Sequence, residues 1–169
     1  MTVELWIVRH GAAAQRGAQW PDDATRPLVT KGERQARRLA GVLPKLDRLF
    51  TSPWTRAAQT AAALAHLAPA GAEPLAVLAD GEAAELPAAL ERALAGSSDP
   101  LDRLLRVACV GHEPQLSEAI GSLIAAGAAA RPATVRLRKG GVARLVGTLR
   151  HGGMRLELLA SQADLKRVD

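Results

Sequence analysis

Apolar residues run almost without a break through residues 3–8, where Leu5, Trp6, Ile7 and Val8 follow one another. That pattern predicts a strand buried on both faces. Residues 11–27, rich in Gly, Pro and Asp, predict a loop. Thr30 and Glu33 then stand at the spacing of a capping box, in which hydroxyl and carboxylate each accept from the other residue's backbone N–H. Behind them Ala36, Leu39, Ala40 and Leu43 fall at i, i+3, i+4 and i+7, the spacing of an amphipathic helix, and Pro44 ends it.

Residues 46–51 predict a short strand, and Ser52-Pro53 predict the N-cap and first helical position of a second helix. A strand is predicted at 75–78, a helix at 85–94, a buried strand at 105–110 and a helix at 114–125. The Ala-rich stretch 121–132 reads as a helix end and a loop. Residues 134–137, 142–146 and 154–159 read as short strands joined by Gly-rich turns. Strands alternating with helices before a β-rich end predict a three-layer α/β domain with a largely parallel sheet. No repeat or break in composition divides the chain, so residues 1–169 are expected to form one domain.

Composition narrows the function. Hydrophobic residues make up 48% of the chain and charged residues 23%, a globular balance. Three Trp, one Phe and no Tyr leave little aromatic surface for stacking on bases, so nucleic acid is not the expected partner. The single cysteine, Cys109, reads as a small core residue. With no disulfide, no signal-peptide pattern and no run long enough to span a bilayer, the chain is expected to be a soluble, cytoplasmic protein. The net charge of +5 is carried mostly by Arg, the side chain suited to gripping phosphate or carboxylate with two donors.

Three segments carry candidate chemistry: Arg9-His10-Gly11, Ser52-Pro53-Trp54-Thr55-Arg56, and Gly111-His112-Glu113-Pro114. Each follows a predicted strand, and in open α/β sheets ligands bind beyond the carboxyl ends of the strands. Arg9, His10, Arg56 and His112 are therefore expected to converge. Two arginines and two histidines without clustered carboxylates make an anion site, and no metal is expected there. A histidine whose other ring nitrogen is fixed by a hydrogen bond can act as a covalent nucleophile, with arginines stabilising the transferring phosphoryl group.

In their order and spacing, Arg9-His10-Gly11, Ser52-Pro53-x-x-Arg56-Ala57-x-Gln59-Thr60 and Gly111-His112 resemble the signature of the histidine phosphatase (phosphoglycerate mutase-like) superfamily. Arg26-Pro27-Leu28-x-Thr30-x-Gly32 and Ala163-Asp164-Leu165-Lys166 are similar to the short SixA-type phosphohistidine phosphatases. The resemblance implies the phosphoglycerate mutase-like fold and His10 as the nucleophile that becomes phosphohistidine. It also implies Arg9, Arg56 and His112 around the phosphate, with Arg26, Gly11 and Ser52 as substrate contacts, and no cofactor.

The family's general acid is a Glu in the region of Glu82 and Glu85, but neither lies in a matching motif. Ala12, Ala13 and Ala14 stand where the mutases carry polar residues, and the chain has little room for an insertion over the pocket. These departures favour a phosphohistidine on a partner protein, such as a phosphotransfer domain, because imidazole leaves more readily than an alkoxide. Small phosphate monoesters are the alternative substrate, and a non-catalytic phosphate-binding module the alternative class.

Plainer roles compete for several residues. Arg26 could pair with Asp22 or Asp23 in its loop, and Ser52 could be only an N-cap. Glu113, a further possible acid, could be only a helix-start charge, and Arg34, Arg37 and Arg38 a solvated face able to steer an acidic partner. His66 and His151 read as surface residues.

Overall fold

A computed structural model describes residues 1–95, 104–125 and 135–166. Its sheet has six strands: β1 (Val3–Arg9), β2 (Arg48–Thr51), β3 (Ala72–Pro74), β4 (Leu105–Gly111), β5 (Val142–Gly147) and β6 (Met154–Ala160). They lie in the order β3-β2-β4-β1-β5-β6, the first four parallel and the last two antiparallel. The helices are α1 (Thr30–Val42), α2 (Thr55–Leu64), α3 (Val77–Asp80), α4 (Leu86–Leu94), α5 (Gln115–Ile124) and α6 (Gln162–Leu165).

The period of two along β1 sorts its side chains between two cores. Val3, Leu5 and Ile7 pack with Leu86 and Leu90 of α4 and Leu116, Ile120 and Leu123 of α5. Trp6 and Val8 face the other way, with Leu39 of α1, Ala57, Ala61 and Leu64 of α2, and Leu165 of α6. The result is the expected three-layer α/β sandwich with a mixed, largely parallel sheet. Each fully buried Leu or Ile contributes roughly 1.5–3 kcal/mol, so the central strand that ends just before His10 is anchored on both faces. Among the described residues no helix is long and apolar enough to cross a membrane.

Several local expectations are corrected. Thr30 is the first helical residue and Val29 the N-cap, with no side-chain cap. The helix starts one residue early because Val29, tied by its N–H to the Ala12 carbonyl at 3.0 Å, itself accepts from the Glu33 N–H at 3.1 Å. Ser52 is likewise not an N-cap, since α2 begins at Thr55 and Trp54 caps it.

Residues 75–78 are not a strand: β3 lies just before them, and Leu78 enters the core from α3. Four residues with apolar character at each end fit a strand or a helical turn equally well. Residues 135–137 form no strand either, and Thr134, like residues 126–132 of the Ala-rich stretch, lies outside the described residues.

Candidate active site

Strand register brings the three segments together. β1 pairs with β4 so that Arg9 lies beside Gly111, and β4 pairs with β2 so that Val110 lies beside Thr51. The residues that follow each strand end are tied in the same way. The His10 N–H donates to the Gly111 carbonyl at 3.1 Å, and the Ser52 N–H donates to the Val110 carbonyl at 2.9 Å. His10, Ser52, Arg56 and His112 are all buried.

The His10 ring has a defined tautomer. Nδ1 lies 2.6 Å from the Gly11 carbonyl oxygen, which can only accept, so Nδ1 carries the proton and Nε2 keeps its lone pair. Arg56 donates Nε–H to that Nε2 at 3.2 Å. Burial pushes the His10 pKa down to about 4, despite the Gly11 carbonyl, and the charges of Arg56, Arg9 and Lys139 add to the effect. The ring is therefore neutral at pH 7.

The His112 ring centroid lies 5.0 Å from that of His10 and 4.7 Å from that of Trp54. Its Nε2 is 2.8 Å from Ser52 Oγ, while Nδ1 is buried with no hydrogen-bond partner among the described residues. Burial lowers its pKa to about 3, helped by His10 and Arg56. Ser52 thus holds the second histidine, and its Oγ also accepts from the Trp54 N–H at 3.2 Å.

Arg56 is 3% exposed, and its guanidinium carbon lies 4.7 Å from the Trp54 ring. Besides His10, it donates through Nη1 to the Asp23 carbonyl at 2.6 Å and through Nη2 to Asp23 Oδ2 at 2.9 Å. Arg26 reaches the same carboxylate from Nε at 2.7 Å, as does Arg16 at 2.8 Å. Burial would raise the Asp23 pKa, but the hydrogen bonds from Arg26 and Arg16 and the charge of Arg56 hold it far below the usual carboxylate range. The pairing considered for Arg26 is therefore present, and through Asp23 it connects Arg26 to Arg56. Arg9 donates from Nη1 to the Leu137 carbonyl at 2.9 Å, and its buried Nε has no described partner.

The candidate acids separate. Glu82 and Glu85 are exposed and form a capping box, with the Glu82 N–H donating to Glu85 Oε2 at 3.1 Å. No hydrogen bond or ion pair joins either to His10, Arg56 or His112. Glu113 is half-buried, accepts from Ser117 Oγ at 2.7 Å, and has its pKa raised by burial against the opposing effects of Ser117 and Arg9.

Sequence reasoning gave no catalytic or substrate-binding role to four polar residues that fix the loops. Thr60 Oγ1 accepts from the Gly11 N–H at 3.1 Å and donates to the Arg56 carbonyl at 2.8 Å, linking the loop after His10 to Arg56. Gln35 accepts from the Ala12 N–H at 2.8 Å, and Gln59 from the Leu28 N–H at 2.7 Å. Asp23 is the fourth. The signal for two of them was present, since Arg56, Gln59 and Thr60 stand at i, i+3 and i+4 on one helix face.

The chain is similar to known proteins in sequence and in fold. The family model described as histidine phosphatase superfamily (branch 1) matches residues 5–86. An uncharacterized protein from Picosynechococcus sp. is 37% identical over 120 residues, covering 69% of this chain and 70% of that protein. The structure of the protein histidine phosphatase SixA complexed with tungstate superposes with a TM-score of 0.74 at 23% identity, over 100% of both chains. A protein described as a candidate SixA phosphohistidine phosphatase from Nakamurella multipartitia gives 0.72 at 25% identity, over 95% of this chain and 96% of that one. With its signature residues gathered at the ends of β1, β2 and β4, the chain belongs to the histidine phosphatase superfamily and is SixA-like within it.

Proposed function

We propose that this chain is a cofactor-independent phosphatase that takes a phosphoryl group onto Nε2 of His10 and passes it to water, with a phosphohistidine on a partner protein as substrate. The observation that carries the reading is the His10 ring. Its proton is held on Nδ1 by the Gly11 carbonyl, and its lone pair on Nε2 lies among Arg56 and His112. In the first step the Nε2 lone pair attacks phosphorus, an Nε2–P bond forms, and the bond to the substrate ring breaks, its electron pair leaving with an imidazole already protonated on its other nitrogen. The Gly11 carbonyl then faces a ring that has gained positive charge, which favours the intermediate. Arg56, Arg9 and Arg26 are the cations that would meet the phosphoryl oxygens.

Neutral His112 contributes as a donor if Ser52 donates to its Nε2, because the proton then resides on the partnerless Nδ1. In the second step water attacks phosphorus, orthophosphate leaves and His10 Nε2 regains its lone pair. The two Glu nearest the expected acid position are committed to a helix cap, which supports a leaving group that needs no proton from the enzyme. The likeness to SixA supports the same choice.

The test is the time course of label loss from a histidine-phosphorylated phosphotransfer domain, with wild type and His10→Ala side by side. Rapid loss that disappears in the variant is the expected result. Hydrolysis of a small phosphate monoester without any loss from the phosphoprotein would retain the phosphatase and overturn the substrate. Tight phosphate binding with turnover of neither would make the chain a binding module.

A further inference from the structure

A groove of about 980 Å³ is bordered by Arg9, the residue before His10, and the phosphoryl site alone does not account for it. Lys31, Arg34 and Arg38 border it at i, i+3 and i+7 of α1, a span of roughly 10 Å along the helix. Arg136, Arg138 and Lys139 border it from the segment leading into β5. That segment is fastened to the end of β1, because the Gly140 N–H donates to the carbonyls of Arg9 at 3.1 Å and His10 at 3.0 Å. Gln162 braces the two sides: its amide nitrogen donates to Gly140 O at 2.7 Å and Gln35 O at 3.3 Å, and its oxygen accepts from Arg38 at 2.8 Å.

Including Arg9 and Lys166, eight of the chain's 22 Lys and Arg border this groove, and among the described residues none of its 17 Asp and Glu does. The remainder of the chain therefore carries more carboxylates than cations. The basic character of the protein is concentrated in one concavity. Arg9 borders the groove and its charge acts on the neighbouring His10, while its buried Nε has no partner among the described residues.

The lining also limits the occupant. Among the described residues Ala163 is the one apolar side chain on its wall, and no aromatic is present. Ordinary ligand pockets are mostly apolar, protein interfaces centre on buried aromatic or Arg anchors in dry pockets, and bases stack on aromatic rings. A groove of cations and amides suits a ligand that is charge along its whole length.

We infer that the groove binds a linear inorganic polyphosphate chain, with its terminal phosphoryl group directed to His10. Its turnover rests on the phosphatase reading above; its binding does not. His10 Nε2 would attack the terminal phosphorus, the bridging P–O bond would break, and the shortened chain would leave with the electron pair. A phosphoanhydride leaving group needs no general acid, and its charge would remain among the groove cations. Water would then release orthophosphate from His10.

Tripolyphosphate is the probe. Calorimetry with His10→Ala separates binding from turnover, and the exposed pair Arg34→Gln/Arg138→Gln tests the groove. Binding at least tenfold tighter than orthophosphate, weakened at least tenfold by the double variant, is expected. Wild type should release orthophosphate from tripolyphosphate, with the double variant raising KM at least tenfold while hydrolysis of phosphoramidate stays unchanged. Binding no tighter than orthophosphate, insensitivity to the double variant, or equally tight binding of poly-L-glutamate would overturn the ligand assignment. Phosphoramidate turnover without tripolyphosphate turnover would overturn the activity. Tight, variant-sensitive binding with turnover of neither compound would support the groove and sink the phosphatase reading.

Discussion

Arg56 donates its Nε–H to Nε2 of His10 at 3.2 Å, so the guanidinium sits against the atom that carries the ring's lone pair. Both side chains are buried, and Arg56 is held from its far side by Asp23. The cation is in place before substrate arrives, which removes a reorganisation step from the reaction.

Arg56→Lys should lower kcat/KM by about 10²–10³-fold, the usual cost of removing an oriented donor from a developing oxyanion. Lysine keeps the charge but cannot face His10 and Asp23 at once. Steady-state kinetics checks this, with circular dichroism to confirm the fold. Activity within threefold of wild type would count against Arg56 as a phosphate ligand.

The pH dependence follows from two neutral histidines. His10 and His112 titrate at about 4 and about 3 in the folded chain, against 6.5 for a free imidazole. Between pH 6.5 and 4 the unfolded chain binds more protons than the folded one. These residues therefore contribute stability that is fully present above pH 6.5 and lost as pH falls, on the order of a few kcal/mol in total. Urea midpoints should drop over that interval, less so in His10→Gln. The acid limb of kcat/KM should lie below pH 5, and a limb centred near 6.5 would refute the buried neutral nucleophile.

Ser52→Ala removes the partner of His112 Nε2. About a tenfold loss in kcat/KM is expected, in keeping with one oriented hydrogen bond of roughly 1–2 kcal/mol. Imidazole ¹⁵N shifts should change for His112 and hold for His10. A merely structural serine would lower stability without altering the tautomer.

Glu113→Gln should leave phosphohistidine turnover within threefold and slow an alkyl phosphate ester by about 10²-fold, the range for loss of a general acid. Glu82→Gln and Glu85→Gln should cost only about 1 kcal/mol of stability through the helix cap. Equal losses on both substrates in Glu113→Gln would contradict a leaving group that departs unaided.

The parts of this protein legible in the sequence were those set by long periodic patterns and by strand ends. β1, β4, α1 and α5 follow from apolar spacing, and the meeting of His10, Arg56 and His112 follows from where the strands stop. What could not be read was decided by partners distant in sequence. Ser52 was expected to cap a helix because Ser-Pro usually does; the His112 ring, 60 residues away, supplies its partner instead. Asp23 could be named only as one of two possible partners of Arg26, since only the folded chain brings Arg16, Arg26 and Arg56 to it. The strand expected at 75–78 failed because a four-residue pattern does not distinguish a period of 2 from one of 3.6.

Gly11 and Gly32 meet backbone to backbone: a Cβ on Gly11 would lie 2.6 Å from the Gly32 carbonyl oxygen, and one on Gly32 would collide with the Ala12 carbonyl. The nucleophile loop and the first turn of α1 therefore behave as a single mechanical part, although 21 positions separate the glycines. In genetic terms, codon 32 belongs to the active site without encoding any reactive group. A library screened for inactive clones should return changes at Gly32 beside those at His10, while neighbouring Lys31 tolerates most replacements.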